Sequence, residues 1–349
     1  MKNFIPDYQH IVNAARNLES DMLPLYEHII APEKMEEITG VHFASLADGN
    51  ESDIEEYFRH YCAFFKNMGY DTVSYEALIT SVMPGSGALY SNKEGVIKDR
   101  SDFNRYEWDE IPLRFVEANR KYYTALQKVM PKGMKAVGGV GNGVFECIQD
   151  VVGYQNLCYI SADDPALYED LFSVAGRMCQ SIWKMVIKEF GDLFCLFRFG
   201  DDLGFQTGTL LSTDDIRQLI IPQYVNIIDT VHKSGKPFLL HSCGKIFDVM
   251  EDLIEVAKID AKHSNEDQIA PFPLWVDMYG DRIGNFGGID TDAVCRLNRA
   301  EMKEYIVDVV KLSSGRGGFA FGSGNSIPDY VPAEGYCNMV EIVREIRGR

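Results

Sequence analysis

At 349 residues, 46% of them hydrophobic, the chain is long enough to bury one large α/β core. Its 34 Lys and Arg against 52 Asp and Glu give a net charge of -18, which argues against nucleic acid or an anionic membrane as main partner. The eight cysteines form no C-x-x-C pair, no apolar run approaches the roughly 18 to 20 residues of a membrane span, and the start lacks the plan of a secretory signal, so a cytoplasmic setting with mostly free thiols is expected.

From Met1 to about Gly40 the pattern reads as helical and amphipathic, with Ile11, Ala14, Ala15 and Leu18 at helical spacing. Ser52 with Glu55 three residues on predicts a capping box for a helix over Asp53–Met68, closed by Gly69. Tyr70–Tyr75 reads as a short strand. Met83–Trp108 is irregular, with Pro84-Gly85, Gly87, Asn92 and Gly95, and reads as an inserted hairpin or lid that Trp108 and its aromatic neighbours help to shape. Ile111–Met130 is helical again.

After Pro131 a regular rhythm sets in. Strands are expected at Met134–Val140, Leu193–Phe199, Pro237–Leu240, Ile259–Lys262, Arg282–Phe286 and Gly318–Phe321. Helices are expected at Asp164–Phe190, from Ser212-x-x-Asp215 to His232 with Pro222 kinking or dividing it, and at Phe247–Ala257, Leu274–Tyr279, Arg299–Leu312 and Glu334–Ile346. Continuously apolar strands alternating with helices indicate a parallel sheet, and polar residues cluster after the strand ends. The expected fold is therefore a (β/α)8 TIM-type barrel with its site at the C-terminal mouth. It would form a single domain over 1–349, with a helical N-terminal extension over 1–68 and an insertion over 83–108. Seven strands are countable, and the eighth is unassigned. No G-x-G-x-x-G stands in the strand-to-helix context a dinucleotide fold requires.

The most informative stretch is Lys236-Pro-Phe-Leu-Leu-His-Ser-Cys-Gly244. On a strand, alternation turns His241 and Cys243 to the same side. An imidazole and a thiolate converging at a strand tip suit zinc, although a buried Cys beside a hydrogen-bonded His would leave the same trace.

The order of features resembles the uroporphyrinogen decarboxylase superfamily, which includes corrinoid- and zinc-dependent methyltransferases. The matching pieces are Gly200-Asp-Asp-Leu-Gly-Phe-Gln206, Leu210-Leu-Ser212, Ile221-Pro-Gln-Tyr224, His241-Ser-Cys-Gly244, Tyr279-Gly-Asp-Arg-Ile283, Gly287-Gly-Ile-Asp290 and Gly322-Ser-Gly-Asn-Ser-Ile-Pro328. The Arg-Gln-Ala-Gly-Arg loop of true decarboxylases is missing, and Val73-Ser-Tyr-Glu76 stands where their Ser-Asp-Ile falls. The methyltransferase branch is thus the better match. The resemblance implies that His241, Cys243 and a later Cys hold Zn2+. That later Cys falls near Gly324-Asn325, where this chain has Asn325, and Cys337 lies too far along to replace it.

Glu146, just after the second strand of this rhythm, could complete a His/Cys/Glu set, or serve as an acid at a helix start. Asp201 and Asp202 end one strand and His263 another, and these three are the candidates for proton transfer or for support of His241. Adjacent residues alternate, so one of the two aspartates is expected to enter the pocket. Glu266, Asp290, Asn325, Ser326 and, with Glu76, Tyr75 are candidates for substrate binding; turn and capping chemistry would account for several equally well. The expectation is a zinc-dependent methyltransferase moving a methyl group between a small substrate and a corrinoid on a partner protein or a thiol acceptor. A decarboxylase-like lyase acting on a carboxylated substrate, or a non-catalytic binder, would keep the same fold.

Overall fold

Seven strands form one all-parallel sheet in sequence order, β1 (Val73–Leu78), β2 (Ala136–Gly141), β3 (Phe194–Gly200), β4 (Phe238–His241), β5 (Ala261–His263), β6 (Gly284–Ile289) and β7 (Phe319–Ser323). This computed structural model describes residues 4–91 and 93–347. Every residue of β2, β3, β4, β5 and β6 is buried, as expected where helices cover one face and a packed interior the other. The α/β architecture is consistent with a TIM-type barrel. Helices pack on the outer face: Trp183, on the helix Pro165–Phe190, meets Phe197 and Phe238 edge-on at 5.4 and 6.2 Å. A smaller inner cluster joins Val137, Leu196, Leu239, Phe286 and Ala320 to Tyr26 and to Ile11, Ala14 and Ala15.

No eighth strand forms among the described residues. Instead an extended segment crosses the gap, and it comes from the stretch the sequence pattern reads as helical. The helices there are short, Gln9–Ala15 and Pro32–Thr39. Ile11, Ala14 and Ala15 are buried as expected, but Leu18 lies past the helix end and is exposed. Between the helices, Leu25 and Ile30 bridge in parallel to Phe321 and Ile327. Tyr26 N–H donates to Phe321 O at 2.9 Å, and Phe321 N–H to Pro24 O at 2.8 Å. On the opposite flank Ser74 Oγ donates to Glu27 O. The approach is so close that a Cβ on Gly322 would lie 1.7 Å from Tyr26 O, so only glycine fits there. Pro24 and Pro32 bound the segment, and every residue from Pro24 to Ile30 except Ile29 is buried.

Other boundaries also shift. β1 starts three residues later than expected, which places Tyr75 and Glu76 inside the strand. The capping box of the helix Glu51–Met68 is built by Asn50 and Asp53, not Ser52 and Glu55. Asn accepts well from the first turn, and Asp53 stands at the third helical position. Ahead of Pro222 the helix takes a π turn over Ile216–Ile220, then continues from Ile221 to His232. The insertion contains no strand among its described residues, so the hairpin is absent; Asn92 lies outside them. Its chain is tied to the helix Val144–Val152 instead: Gly87 N–H and Leu89 N–H both donate to the Asp150 carboxylate, and Ile97 N–H to Val151 O. Trp108 is buried against Tyr106 and does not reach the cavity described below. No helix among the described residues is long and apolar enough to cross a membrane.

Candidate active site

A cavity of about 500 Å³ opens where β1 to β4 end, lined by His28, Glu76, Tyr90, Asn142, Glu146, Asp202, His241, Cys243, Asn325 and Ser326 among others. None of its lining residues is Lys or Arg.

Its polar centre is a relay of imidazoles. His241 ends β4 and pairs in register with His263 at the end of β5. Their Nδ1 atoms are 2.7 Å apart, and His263 Nε2 lies 3.2 Å from Ser323 O. A carbonyl only accepts, so His263 carries its proton on Nε2 and offers a lone pair at Nδ1. His241 Nδ1 must then donate, which leaves His241 Nε2 as a free lone pair. Burial holds both rings neutral, taking His263 down to about 3 and His241 well below the ordinary histidine range, with each other's charge and Arg198 adding to the effect on His241.

That lone pair faces the other donors. Cys243 Sγ is 3.4 Å from His241 Nε2, and Asp202 Oδ1 is 3.9 Å from it. One ligand atom each from Asp202, His241 and Cys243 lies within 4.8 Å of the others, a nitrogen, sulfur and oxygen set of the kind zinc accepts. Asn325 Nδ2 at 3.3 Å and Ser264 Oγ at 3.5 Å both point donors at the sulfur. Without a cation nearby, burial and then the Asp202 charge push the Cys243 thiol upward, so the sulfur keeps its proton until something positive binds. The Cys243 N–H donates to Asp202 Oδ1 at 2.8 Å, tying the two ends of β3 and β4 together. Just beyond, Gly244 has φ +85° and a Cβ there would lie 2.1 Å from the Gly204 carbonyl carbon, so the turn requires glycine.

The neighbouring aspartate behaves differently. Asp201 is fully buried and accepts from Phe145 N–H, Glu146 N–H and Tyr224 OH. Its carboxylate caps the helix Val144–Val152, faces away from the cavity and is pushed by burial to about 6. Glu146, in the first turn of that helix, does line the cavity. Asn142 Nδ2 donates to it at 2.9 Å, but it is outside the donor groups that converge within 4.8 Å. Burial, with Asp201 and Asp202 nearby, raises its carboxyl well above the usual range. At the floor Glu76 accepts two hydrogen bonds from the fully buried Arg198, at 3.1 and 2.7 Å, and Arg198 also donates to Tyr26 OH at 2.7 Å.

Tyr75 alternates with Glu76 and so faces outward, edge-on to Phe58 and Tyr123. Asp290 caps the helix Thr291–Arg296 with one oxygen and accepts from Asp267 N–H with the other. With Glu266 it lines two smaller neighbouring cavities rather than the central one, while Asn325 and Ser326 border both regions. Tyr90 and Ser264 escaped sequence reasoning, and so did His28. His28 stacks on His241 with ring centroids 3.8 Å apart and planes 7° apart, and it groups with His241 and His263. The stretch Leu23–Ile30, with Pro24 near its start and Pro32 just past its end but interrupted by Glu27 and His28, gave no clear strand signal that would have placed this histidine at the sheet.

Among solved structures, a methyltransferase from Methanosarcina mazei superposes with a TM-score of 0.68 at 15% identity, covering 97% of this chain and 98% of that one. A putative vitamin-B12-independent methionine synthase from Listeria monocytogenes gives 0.51 at 12% identity, covering 95% and 100%. At such identities these likenesses speak to the fold. No curated protein sequence matches the chain. The model of the family described as uroporphyrinogen decarboxylase (URO-D) matches residues 9–346, nearly the whole length, and this chain belongs to that family.

Proposed function

We propose that this protein is a zinc-dependent methyltransferase that acts on a small substrate, with a corrinoid on a partner protein as the other methyl carrier. The observation that supports it most is the convergence of His241 Nε2, Cys243 Sγ and Asp202 Oδ1 on one point of the cavity wall. In this reading His241 and Cys243 hold the metal with a carboxylate as third ligand. Asp202 is the nearer choice and Glu146 the other. His263 fixes the tautomer and orientation of His241, as a buried partner of a metal-bound histidine commonly does. Asn325 and Ser264 stabilise negative charge on the Cys243 sulfur. Zinc, when bound, supplies Lewis acidity to a methyl-bearing oxygen or lowers the pKa of a thiol acceptor. Tyr90 and Ser326 remain to position the substrate, while Asn142 is held by Thr80 and Glu146. The corrinoid follows from the family resemblance.

A lyase acting on a carboxylated substrate fits the same fold less well. Such a pocket needs cations to hold the carboxylates, and the Arg198 guanidinium beneath this cavity is committed to Glu76 and Tyr26. Metal analysis of protein prepared with ample zinc tests the proposal. About one zinc per chain is expected in the wild type, with loss in Cys243→Ser. Asp202→Asn weakens binding more than Glu146→Gln if Asp202 is the third ligand. A wild type that takes up no zinc would overturn the proposal.

A further inference from the structure

His28 stands in an unusual position for a polar side chain. It is only 5% exposed, yet it borders the cavity. Its Nδ1 is sealed from solvent with no hydrogen-bond partner among the described residues. Its Nε2 has no protein partner among them either, and it is the one ring nitrogen not sealed off. The ring is held by its faces: His241 stacks on it at 3.8 Å and His263 at 5.5 Å. The backbone beneath it is fixed by the pairing of the 24–30 segment with β7 and by the Ser74 contact to Glu27 O.

A sealed, unpaired N–H costs more than a sealed lone pair, because a donor loses a strong hydrogen bond to water while an imidazole lone pair is a weaker acceptor. The proton therefore belongs on Nε2, where a cavity molecule can receive it. The stacking also limits what His28 can do. Two parallel rings aim their in-plane lone pairs side by side, so His28 is poorly placed to share one metal ion with His241 at a bond length of about 2.0 to 2.1 Å.

We propose that His28 is a substrate-binding residue whose Nε2–H donates a hydrogen bond to an acceptor oxygen of the bound small molecule. This rests on the methyltransferase reading of the same cavity. The absence of Lys and Arg from the described lining disfavours an anionic substrate, and Asn325, the amide near the sulfur, has one of its two N–H groups on Cys243. His28 adds to the Tyr90 and Ser326 hydroxyls a ring N–H stacked against His241, beside the metal-ligand pair.

The test uses the full chain loaded with zinc, and titrates methanol and 2-methoxyphenol as probes into wild type, His28→Gln and His28→Leu by calorimetry. Gln carries an amide N–H at a reach close to that of Nε2, so it should keep affinity within about threefold, while Leu should lose about tenfold, the value of one hydrogen bond. Nitrogen NMR of the wild type should show the Nε2–H tautomer of His28. Equal affinity in all three proteins, binding of neither probe, or an Nδ1–H tautomer would overturn the inference. Zinc content of the same samples separates the two ideas. A zinc-loaded protein indifferent to His28→Leu sinks only this inference, whereas a zinc-free protein whose probe binding depends on His28 sinks only the methyltransferase reading.

Discussion

Glu27 offers the sharpest quantitative test of how the barrel is sealed. The side chain is fully buried between the 24–30 segment and β7, accepting from Ser323 N–H at 3.0 Å and Ser323 Oγ at 2.5 Å. Burial raises its carboxyl from 4.5 to about 8, and the two Ser323 hydrogen bonds offset only part of that. The unfolded chain therefore gives up this proton near pH 4.5, while the folded chain keeps it to about pH 8. Across that window the folded state binds more protons, so rising pH must destabilise it. The gap of about 3.5 pH units, at about 1.4 kcal/mol each, amounts to about 5 kcal/mol above pH 8 and about 3 kcal/mol at pH 7. Glu27→Gln mimics the protonated acid, with an amide N–H for Ser323 Oγ, and cannot titrate. Urea unfolding of both proteins from pH 4.5 to 9 should show the wild type losing stability relative to the variant by that amount as pH rises. Parallel curves, or a wild type that gains on the variant, would refute the assignment of a buried neutral acid at this seam.

Two further outcomes follow from the same interior. Glu76→Gln removes the partner of a guanidinium with no exposure, and leaving that charge uncompensated should cost about 3 to 5 kcal/mol in denaturant unfolding; a loss below about 1 kcal/mol would mean that Tyr26 or water suffices to hold Arg198. His263→Leu removes the acceptor that orients His241, so zinc affinity measured by chelator competition should fall by about 10- to 100-fold with the fold intact by circular dichroism. An unchanged affinity would show that His241 finds its orientation without the relay.

Most strands after residue 131 were legible as short, largely apolar runs, a composition that burial on both faces favours, although β5 carries Lys262 and β6 carries Asn285. His241 and Cys243 were legible because they stand two apart at the tip of β4, His241 as its last residue and Cys243 just past it. The N-terminal seam was not. Residues 24–30 are too few, and too mixed in polarity, to announce a strand, and their extended form is imposed by hydrogen bonding to β7 across nearly 300 residues of chain. With that seam went His28 and Glu27. Asp201 and Asp202 look alike in sequence, yet one is consumed by two backbone N–H groups and a tyrosine while the other faces the cavity. That division depends on the helix start at Val144 lying over β3, which no local pattern encodes.

The imidazole relay makes the same point about register. Ser323 O, His263 and His241 belong to three different strands, and their contacts exist only because β4 and β5 pair His241 with His263. Side chains alternate with a period of two, so sliding β5 by one residue would carry His263 to the outer face and bring Lys262 inward. A lysine there could only donate, and it would compete with the cation proposed for the Cys243 site. Lys262 is kept away from that role: it sits fully buried 3.7 Å over the Trp275 ring and donates to Ser264 O. The pairing of β4 with β5 thus also decides which nitrogen of His241 is free to face the cavity.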